Sequence, residues 1–428
     1  MPSFTDQQIH DFLAGALTLA LVSWGLYLML RWLRRSRPDL AIGTPVAVAI
    51  GVRVVAAFAV SSSGVASTLR GGDEAGFYLN SQHIAGTPFL GHEWTHVLTD
   101  KLFEFVLASQ IMLLDSPQTV LRISQSGIAV VGLVLLATAV YELAGRRAAI
   151  IAAWLLALEP ANIFFSTLMH KEPNMLLAAG LVAFAGANMW KRAEFRYLWL
   201  ITLGCLIAVS TRPYAGWFLI AAGAAITLHV GVRARTHAGR SFTLIAIVVM
   251  LVAIAAPTVW KASTHESLSS LQQSQSANAA SGANLKLEEV DFSTREAVIV
   301  NLPQRILDVV TRPYPWQLSN VSQQFGLLGT LFAWTCFWLL IRELWRARGQ
   351  IMERAGPLVY VSLALLAAYS LSAGNAGTAF RYRTHIVALA FCLLVVLWQL
   401  RTQPAPATAR VRAPGREPAA PEPSLARA

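Results

Sequence analysis

The sequence predicts an all-α, polytopic membrane helix bundle, and three observations lead there. Apolar residues make up 55% of the 428-residue chain and charged residues only 13%, with a mean hydropathy of +0.51. A soluble domain carries about 25% charged residues, so this composition cannot clothe a water-exposed surface, which excludes a soluble enzyme. The apolar residues gather in runs close to the roughly 20 residues that a helix needs to cross a bilayer. Basic residues cluster after every second run, the pattern that orients a multi-spanning chain.

The runs predict about eleven transmembrane helices. The first, residues 11 to 31, follows Asp6 and Asp11 with no Lys or Arg before it, unlike the basic start of a cleaved signal peptide, so it is expected to persist as a helix. Arg31, Arg34, Arg35 and Arg37 close it, and the second run, 41 to 60, carries Arg53. Runs 119 to 142 and 148 to 166 flank Arg146 and Arg147, and run 174 to 190 ends at Lys191, Arg192 and Arg196. Runs 197 to 211 and 214 to 230 are separated by Arg212-Pro213. A proline lacks the amide proton that helix continuation needs, so the pair reads as two short halves around a break. Arg233, Arg235 and Arg240 precede run 241 to 259. Runs 324 to 342, 357 to 373 and 385 to 400 complete the set, with Arg342, Arg346, Arg348 and Arg354 after the first of them and Arg401, Arg410, Arg412 and Arg416 after the last. Basic loops stay in the cytoplasm, which puts the N-terminus outside, the C-terminus inside and the helix count at an odd number.

Residues 1–400 therefore form one bundle, with long outer segments at 61–118 and 260–323. Residues 401–428, rich in Pro, Ala and Arg, cannot bury a core and read as a disordered cytoplasmic tail that meets anionic lipid headgroups. In the first outer segment Asp100 to Leu114 is apolar but too short to span and reads as an interfacial helix. In the second, Ser267 to Asn284 reads as a flexible loop and Val290 to Val310 as a second interfacial run. Thr-Arg-Pro-Tyr occurs at 211–214 and 311–314, but the flanks do not match and no internal repeat is seen. The formal charge of +11 is spread in short clusters rather than along one stripe, so a nucleic-acid partner is not expected. Cys205, Cys336 and Cys392 sit inside apolar runs and read as packing residues.

Sorted by side, the unusual polar residues share the outer face: Asp73 and Glu74, then His170, Lys171 and Glu172, then Arg212 and Tyr214. Arg312, Tyr314 and Trp316 follow, then Arg381, Arg383 and His385. Arg and Lys are scarce on that face by rule, so their presence there asks for a partner or a task. Carboxylates and guanidiniums together suit chemistry on a lipid-linked phosphate, the acid deprotonating a hydroxyl and the arginines neutralising the phosphate. The alternatives are ion pairs at helix ends and, for Tyr314 and Trp316, an interfacial aromatic belt. His92-Glu93-Trp94-Thr95-His96 matches H-E-x-x-H, which on a helix sets two imidazoles on one face for zinc with the Glu activating water. A third ligand is needed, for which Glu104 and Asp115 are improvised candidates, and the motif stands as a lesser alternative.

Gly72-Asp73-Glu74-Ala75-Gly76-Phe77-Tyr78, after a helix bearing Arg53, resembles the first outer loop of bacterial GT-C glycosyltransferases that use polyprenyl-phosphate sugars. That group includes protein mannosyltransferases and the galacturonosyl and aminoarabinosyl transferases of lipopolysaccharide. Tyr141 to Arg147, Leu158-Glu159-Pro160, Phe165-Ser166 and His170-Lys171-Glu172 are similar in order to the family's cytoplasmic Arg turn, helix-ending Pro and second outer acidic residue, and Arg212-Pro213 to a further outer turn. The likeness is best from Arg53 to Trp217. It implies a GT-C-like bundle with interfacial helices in the first outer loop, in the bacterial cytoplasmic membrane. It also implies inverting transfer from a polyprenyl-phosphate-linked sugar to a glycan, lipid or protein acceptor, either metal-independent or assisted by a divalent metal.

In that reading Asp73 is the general base, Glu74 its alternate, and Glu172 positions substrate or assists a metal. Lys171, Arg212, Arg381 and Arg383 bind the donor phosphate, and Tyr78, His170, Tyr214 and Arg312 contact substrate. The chain departs from the family in an extra N-terminal helix and in lacking a large C-terminal outer domain, which leaves the acceptor open. Gly374-Asn375-Ala376-Gly377-Thr378 with Arg381-Tyr382-Arg383 is reminiscent of surface-polysaccharide polymerases and keeps a polymerase or ligase as the first alternative. A lipid or solute transporter follows, although it would carry mid-membrane charges and paired halves, and then an H-E-x-x-H protease.

Overall fold

The computed structural model describes residues 6–62, 67–87, 101–192, 194–233, 272–273, 276–277, 287–288, 290–318 and 321–402. Among them the protein is all-helical, with no strand. Its helices are α1 (Asp6–Ser36), α2 (Gly43–Ser62), α3 (Ser67–Ala85), α4 (Leu102–Leu114), α5 (Gln118–Leu158), α6 (Pro160–Ser166) and α7 (Glu172–Arg192). After them come α8 (Leu198–Thr211), α9 (Pro213–Arg233), α10 (Arg295–Thr311), α11 (Val321–Arg346), α12 (Ile351–Ser372) and α13 (Ala376–Thr402). Among the described residues seven helices are long and apolar enough to cross a membrane by length and composition: α1, α2, α5, α9, α11, α12 and α13. Their outward side chains, among them Leu21, Trp24, Val55, Phe58, Leu328 and Trp338, are exposed apolar groups, as a lipid-facing surface requires.

Contacts at the helix ends show two poles. At one, which we call the basic end, Arg37 after α1 binds Glu142 of α5, Trp190 of α7 donates to the Glu353 carbonyl of α12, and Arg401 of α13 binds Glu343 of α11. At the other, Arg122 of α5 binds Glu74 of α3, and Glu172 at the start of α7 binds Arg212 at the start of α9. α7 and α8 also run between these two ends, although neither is among the seven long apolar helices.

The expected runs 119 to 142 and 148 to 166 appear as the two limbs of α5, bent at Gly145, whose φ of 83° lies where only glycine is unstrained. The second limb stops before Pro160. Glu159 caps α6 there, its carboxylate accepting from the Ala161 amide at 3.1 Å and from the Asn162 amide. The fourth run is therefore broken in two, because proline at a helix start fits the first turn but cannot extend the turn before it.

α5 packs most extensively on α7. A methyl group on Gly180 would sit 2.7 Å from the Gly132 carbonyl oxygen, so the two glycines let these backbones meet at van der Waals range. The core around them is rich in Ala, Leu and Val from α5, α7, α9, α12 and α13, and the three cysteines are free and buried within it.

The first outer segment differs from the sequence reading. Asp73 and Glu74 were expected in a loop, yet they lie in α3, which packs against α4. Gly71, Gly72 and Gly76 weaken the local helix signal. Tertiary packing overrides it: Phe77 meets Phe103 edge to face at 5.2 Å, and Tyr78 lies against the Phe103, Leu107, Leu121 and Met169 cluster. The interfacial reading of Asp100 to Leu114 corresponds to α4, and that of Val290 to Val310 to α10, which leans on α12 and α13. The expected helix 241 to 259, most of the Ser267 to Asn284 stretch, the H-E-x-x-H motif and the tail beyond Thr402 lie outside the described residues.

Candidate active site at the Glu172 end

Four turns and helix starts converge on Glu172. The chain Thr167 to Lys171 links α6 to α7 and carries His170. Glu172 opens α7, where exposed amide donors favour a carboxylate. Arg212 occupies the sharp turn between α8 and α9, which close so tightly that a Cβ on Gly216 would lie 2.5 Å from the Val209 Cα. Asn375 caps α13 through its side chain, which accepts from the Thr378 amide at 2.7 Å. This sets Arg381 and His385, i and i+4, on one face with Tyr382 beside them, while Arg383 points elsewhere.

Arg212 Nη2 donates to Glu172 Oε1 at 2.6 Å, and both side chains are buried. Arg381 places Nε 3.7 Å from the same oxygen and Nη1 2.7 Å from Asp73 Oδ2. The Asp73 side chain is 55% exposed while that of Arg381 is 15% exposed, so Asp73 stands at the mouth and the guanidinium within. Arg381 Nη1 also donates to His170 Nδ1 at 3.1 Å, which requires that nitrogen to be the unprotonated one. Burial, reinforced by the Arg381 charge, lowers the His170 pKa from its usual 6.5 to about 4, so the imidazole is neutral. Glu172 Oε2, Arg212 Nη1 and Arg381 Nε are buried without a hydrogen-bond partner among the described residues.

An aromatic wall, of which the sequence-based site held only Tyr214, backs this cluster. Arg212 lies over the Tyr382 ring at 4.4 Å, Tyr369 stacks on Tyr382 at 4.6 Å, and the hydroxyls of Tyr214 and Tyr382 are 2.7 Å apart. His385 Nε2 lies 2.9 Å from the Glu172 carbonyl oxygen, which can only accept, so Nδ1 is left to accept from the Tyr369 hydroxyl at 3.1 Å. The i, i+4 spacing of Arg381 and His385 was the available sequence signal for His385. Tyr369 carried none, because a tyrosine within an apolar run looks like core, and Tyr382 was read only as part of Arg381-Tyr382-Arg383.

Of the expected site residues, Asp73, His170, Glu172, Arg212, Arg381 and Tyr214 meet. The others are engaged elsewhere. Glu74, buried in α3, holds Arg122 Nε at 2.9 Å and accepts the Met169 amide at 3.2 Å, which makes it a tie between α3, α5 and the α6–α7 turn. Lys171 sits 3.7 Å from Glu104 and over the Phe77 ring. Arg383 donates to the Arg312 carbonyl at 2.8 Å and to Thr330 Oγ1 at 2.8 Å, clamping α10 and α11 onto α13, and Arg312 itself binds Asp308 at 2.8 Å. Tyr78 packs in the α3–α4 cluster, and Tyr314 stacks on the exposed Trp316 at 4.8 Å. Arg53, fully buried, donates to Ser166 Oγ at 2.9 Å and to Asn162 Oδ1 at 2.7 Å, which ties α2 to α6 behind the site.

Asp73 and Glu172 each spend an oxygen on a guanidinium, so together they offer a divalent cation little uncompensated negative charge. Arg212 and Arg381 instead suit an anion that can take up their unsatisfied donors. Comparison with protein-family models, with curated proteins and with solved structures returns no match to this chain.

Proposed function

We propose that the protein is a membrane glycosyltransferase that moves a sugar from a polyprenyl-phosphate donor to an acceptor hydroxyl at the outer face of the bacterial cytoplasmic membrane. In this reading the chain crosses the membrane about eleven times, with the Glu172 end outside. One observation carries it: an exposed carboxylate, Asp73, rests on an arginine that also borders the buried Glu172–Arg212 pair, where three polar atoms have no hydrogen-bond partner among the described residues.

The donor phosphate displaces Asp73 from Arg381 and engages Arg381 and Arg212, with Glu172 fixing both guanidiniums. Asp73, released, accepts the proton of the acceptor hydroxyl. The acceptor oxygen bonds to the anomeric carbon as the carbon–phosphate-oxygen bond breaks with inversion, and the electron pair leaves on the polyprenyl phosphate, stabilised by the two arginines. His170, neutral and accepting from Arg381, holds that guanidinium in place. Of the wall, Tyr214 keeps part of its surface accessible to a sugar ring, while the buried Tyr369 and Tyr382 back the guanidinium of Arg212.

The test uses purified protein in lipid with a panel of polyprenyl-phosphate sugars and follows release of the free lipid phosphate. Asp73→Asn is expected to lower turnover by roughly 10² to 10⁴. The melting midpoint should stay close to that of the parent, because the replaced side chain is largely solvated. Wild-type turnover in Asp73→Asn would remove Asp73 from the role. No release from any donor, with acceptor fractions supplied, would remove the glycosyltransferase reading.

A further inference from the structure

At the basic end, far from the Glu172 site, a cavity of about 350 Å³ opens between α11, the turn into α12 and the last turns of α13. The turn itself explains the opening. α11 ends at Arg346, Gly349 takes a φ of 73°, and the Gln350 amide closes on the Ala347 carbonyl at 3.0 Å. This abrupt reversal holds Arg346 and Arg348 at the rim, facing Arg354 of α12 and Arg401 of α13. Four arginines line the cavity against one acid, Glu343.

Glu343 is buried and already shared. Arg401 Nε lies 2.9 Å from it, Arg346 Nη1 3.3 Å and Arg342 Nη2 3.5 Å. One carboxylate compensates one unit of charge, so the group keeps a positive excess directed at the opening. Arg348 lies over the Trp345 ring at 4.2 Å, and Arg354 meets no carboxylate among the described residues. Both guanidinium edges are thus open to an incoming anion. The lining is not all polar: Leu397 and Leu400 supply an apolar wall. Trp345, under Arg348 at the rim, begins an exposed apolar strip with Ile341 and Trp338, three and four residues apart on the outward side of α11, away from the Glu343, Arg346 and Ala347 that line the cavity; acyl chains leaving past Arg348 would lie along it with indoles at headgroup level.

From this geometry we infer that the cavity holds the phosphate headgroup of an anionic phospholipid, with its acyl chains along the Trp338–Trp345 face of α11. Guanidiniums bind phosphate oxygens through paired donors, and a headgroup adds what a free anion lacks, which is contact with the apolar strip. The inference does not rest on the proposed catalytic reading, since no residue of the Glu172 cluster takes part.

The test measures the melting midpoint of the delipidated full-length protein in neutral detergent. Phosphatidylglycerol, phosphatidylcholine or inorganic phosphate is added to the parent and to the Arg348→Gln, Arg354→Gln double variant. Neither of these arginines binds Glu343, so the local fold should survive their loss. Phosphatidylglycerol is expected to raise the parent midpoint saturably, with phosphatidylcholine inert. The double variant should need roughly thirty-fold more phosphatidylglycerol for half the effect, taking about 1 kcal/mol for each arginine near an anionic headgroup. Should the double variant fail to fold, Arg348→Gln alone carries the same test at about five-fold. Equal response to phosphatidylcholine, or an unchanged half-effect in the variant, would overturn the site. Inorganic phosphate acting at the same concentration as the lipid would reassign the cavity to a soluble anion.

Discussion

Each end of the bundle gathers arginines around one buried glutamate, but the two clusters differ in how much water their cations keep. At Glu172 the partners are as desolvated as the acid: the Arg212 side chain is 7% exposed and that of Arg381 15%. At Glu343 the acid is just as buried, yet Arg342, Arg346 and Arg401 are each 43–44% exposed. A buried cation depends on its carboxylate, because removing the partner leaves a charge that water cannot reach. A half-solvated one loses only part of its stabilisation. The first cluster is therefore a fixed, internally neutralised device, and the second a positive field that stays open to an outside anion.

The sharpest way to break this contrast is Glu172→Gln. It strands Arg212 in the interior, leaves Arg381 to Asp73 alone, and is expected to destabilise the protein by about 3–5 kcal/mol, read from a denaturant midpoint in mixed micelles. A loss below about 1 kcal/mol would mean that both guanidiniums reach water on their own and that the two ends are alike.

Acid should discriminate next. His170 is neutral in the folded protein because burial holds its pKa near 4, whereas the unfolded chain takes up a proton near 6.5. Between those values the unfolded state binds more protons. The contribution of neutral His170 is thus complete above pH 6.5 and is lost as the pH falls towards 4, about 3 kcal/mol over that window. His170→Gln should reduce the slope between pH 6.5 and 4, and an identical slope in parent and variant would show that the imidazole is solvated.

Much of this contrast was legible in the sequence. The alternation of basic clusters sorted the residues into two faces before any contact was known, and Asp73, Glu172, Arg212 and Arg381 fell on one of them. What the sequence could not rank was commitment. Asp73 and Glu74 are adjacent acids, but α3 turns one to the mouth and the other into Arg122 and the Met169 amide. Arg381 and Arg383 look equivalent until helical spacing sends one to Glu172 and the other to the carbonyls of α10. The break before Pro160 had its signal in the proline, although the expected run 148 to 166 passed through it, whereas the helix at Ser67–Ala85 had none, since its glycines oppose the helix and the Phe103 cluster secures it.

Glu343→Gln is the smallest effect and the finest probe. Its three arginines remain partly hydrated, so the loss should be about 1 kcal/mol at low salt and should shrink as ionic strength rises and the guanidiniums find counterions. The same substitution removes the one negative charge in the cavity, so phosphatidylglycerol should stabilise this variant at lower concentrations than the parent. Both changes follow from a field that is unbalanced by design. A Glu343→Gln loss as large as that of Glu172→Gln, insensitive to salt, would show instead that the basic end is a closed ionic core, and the distinction between a pole balanced by its own carboxylates and one left with excess positive charge would fail.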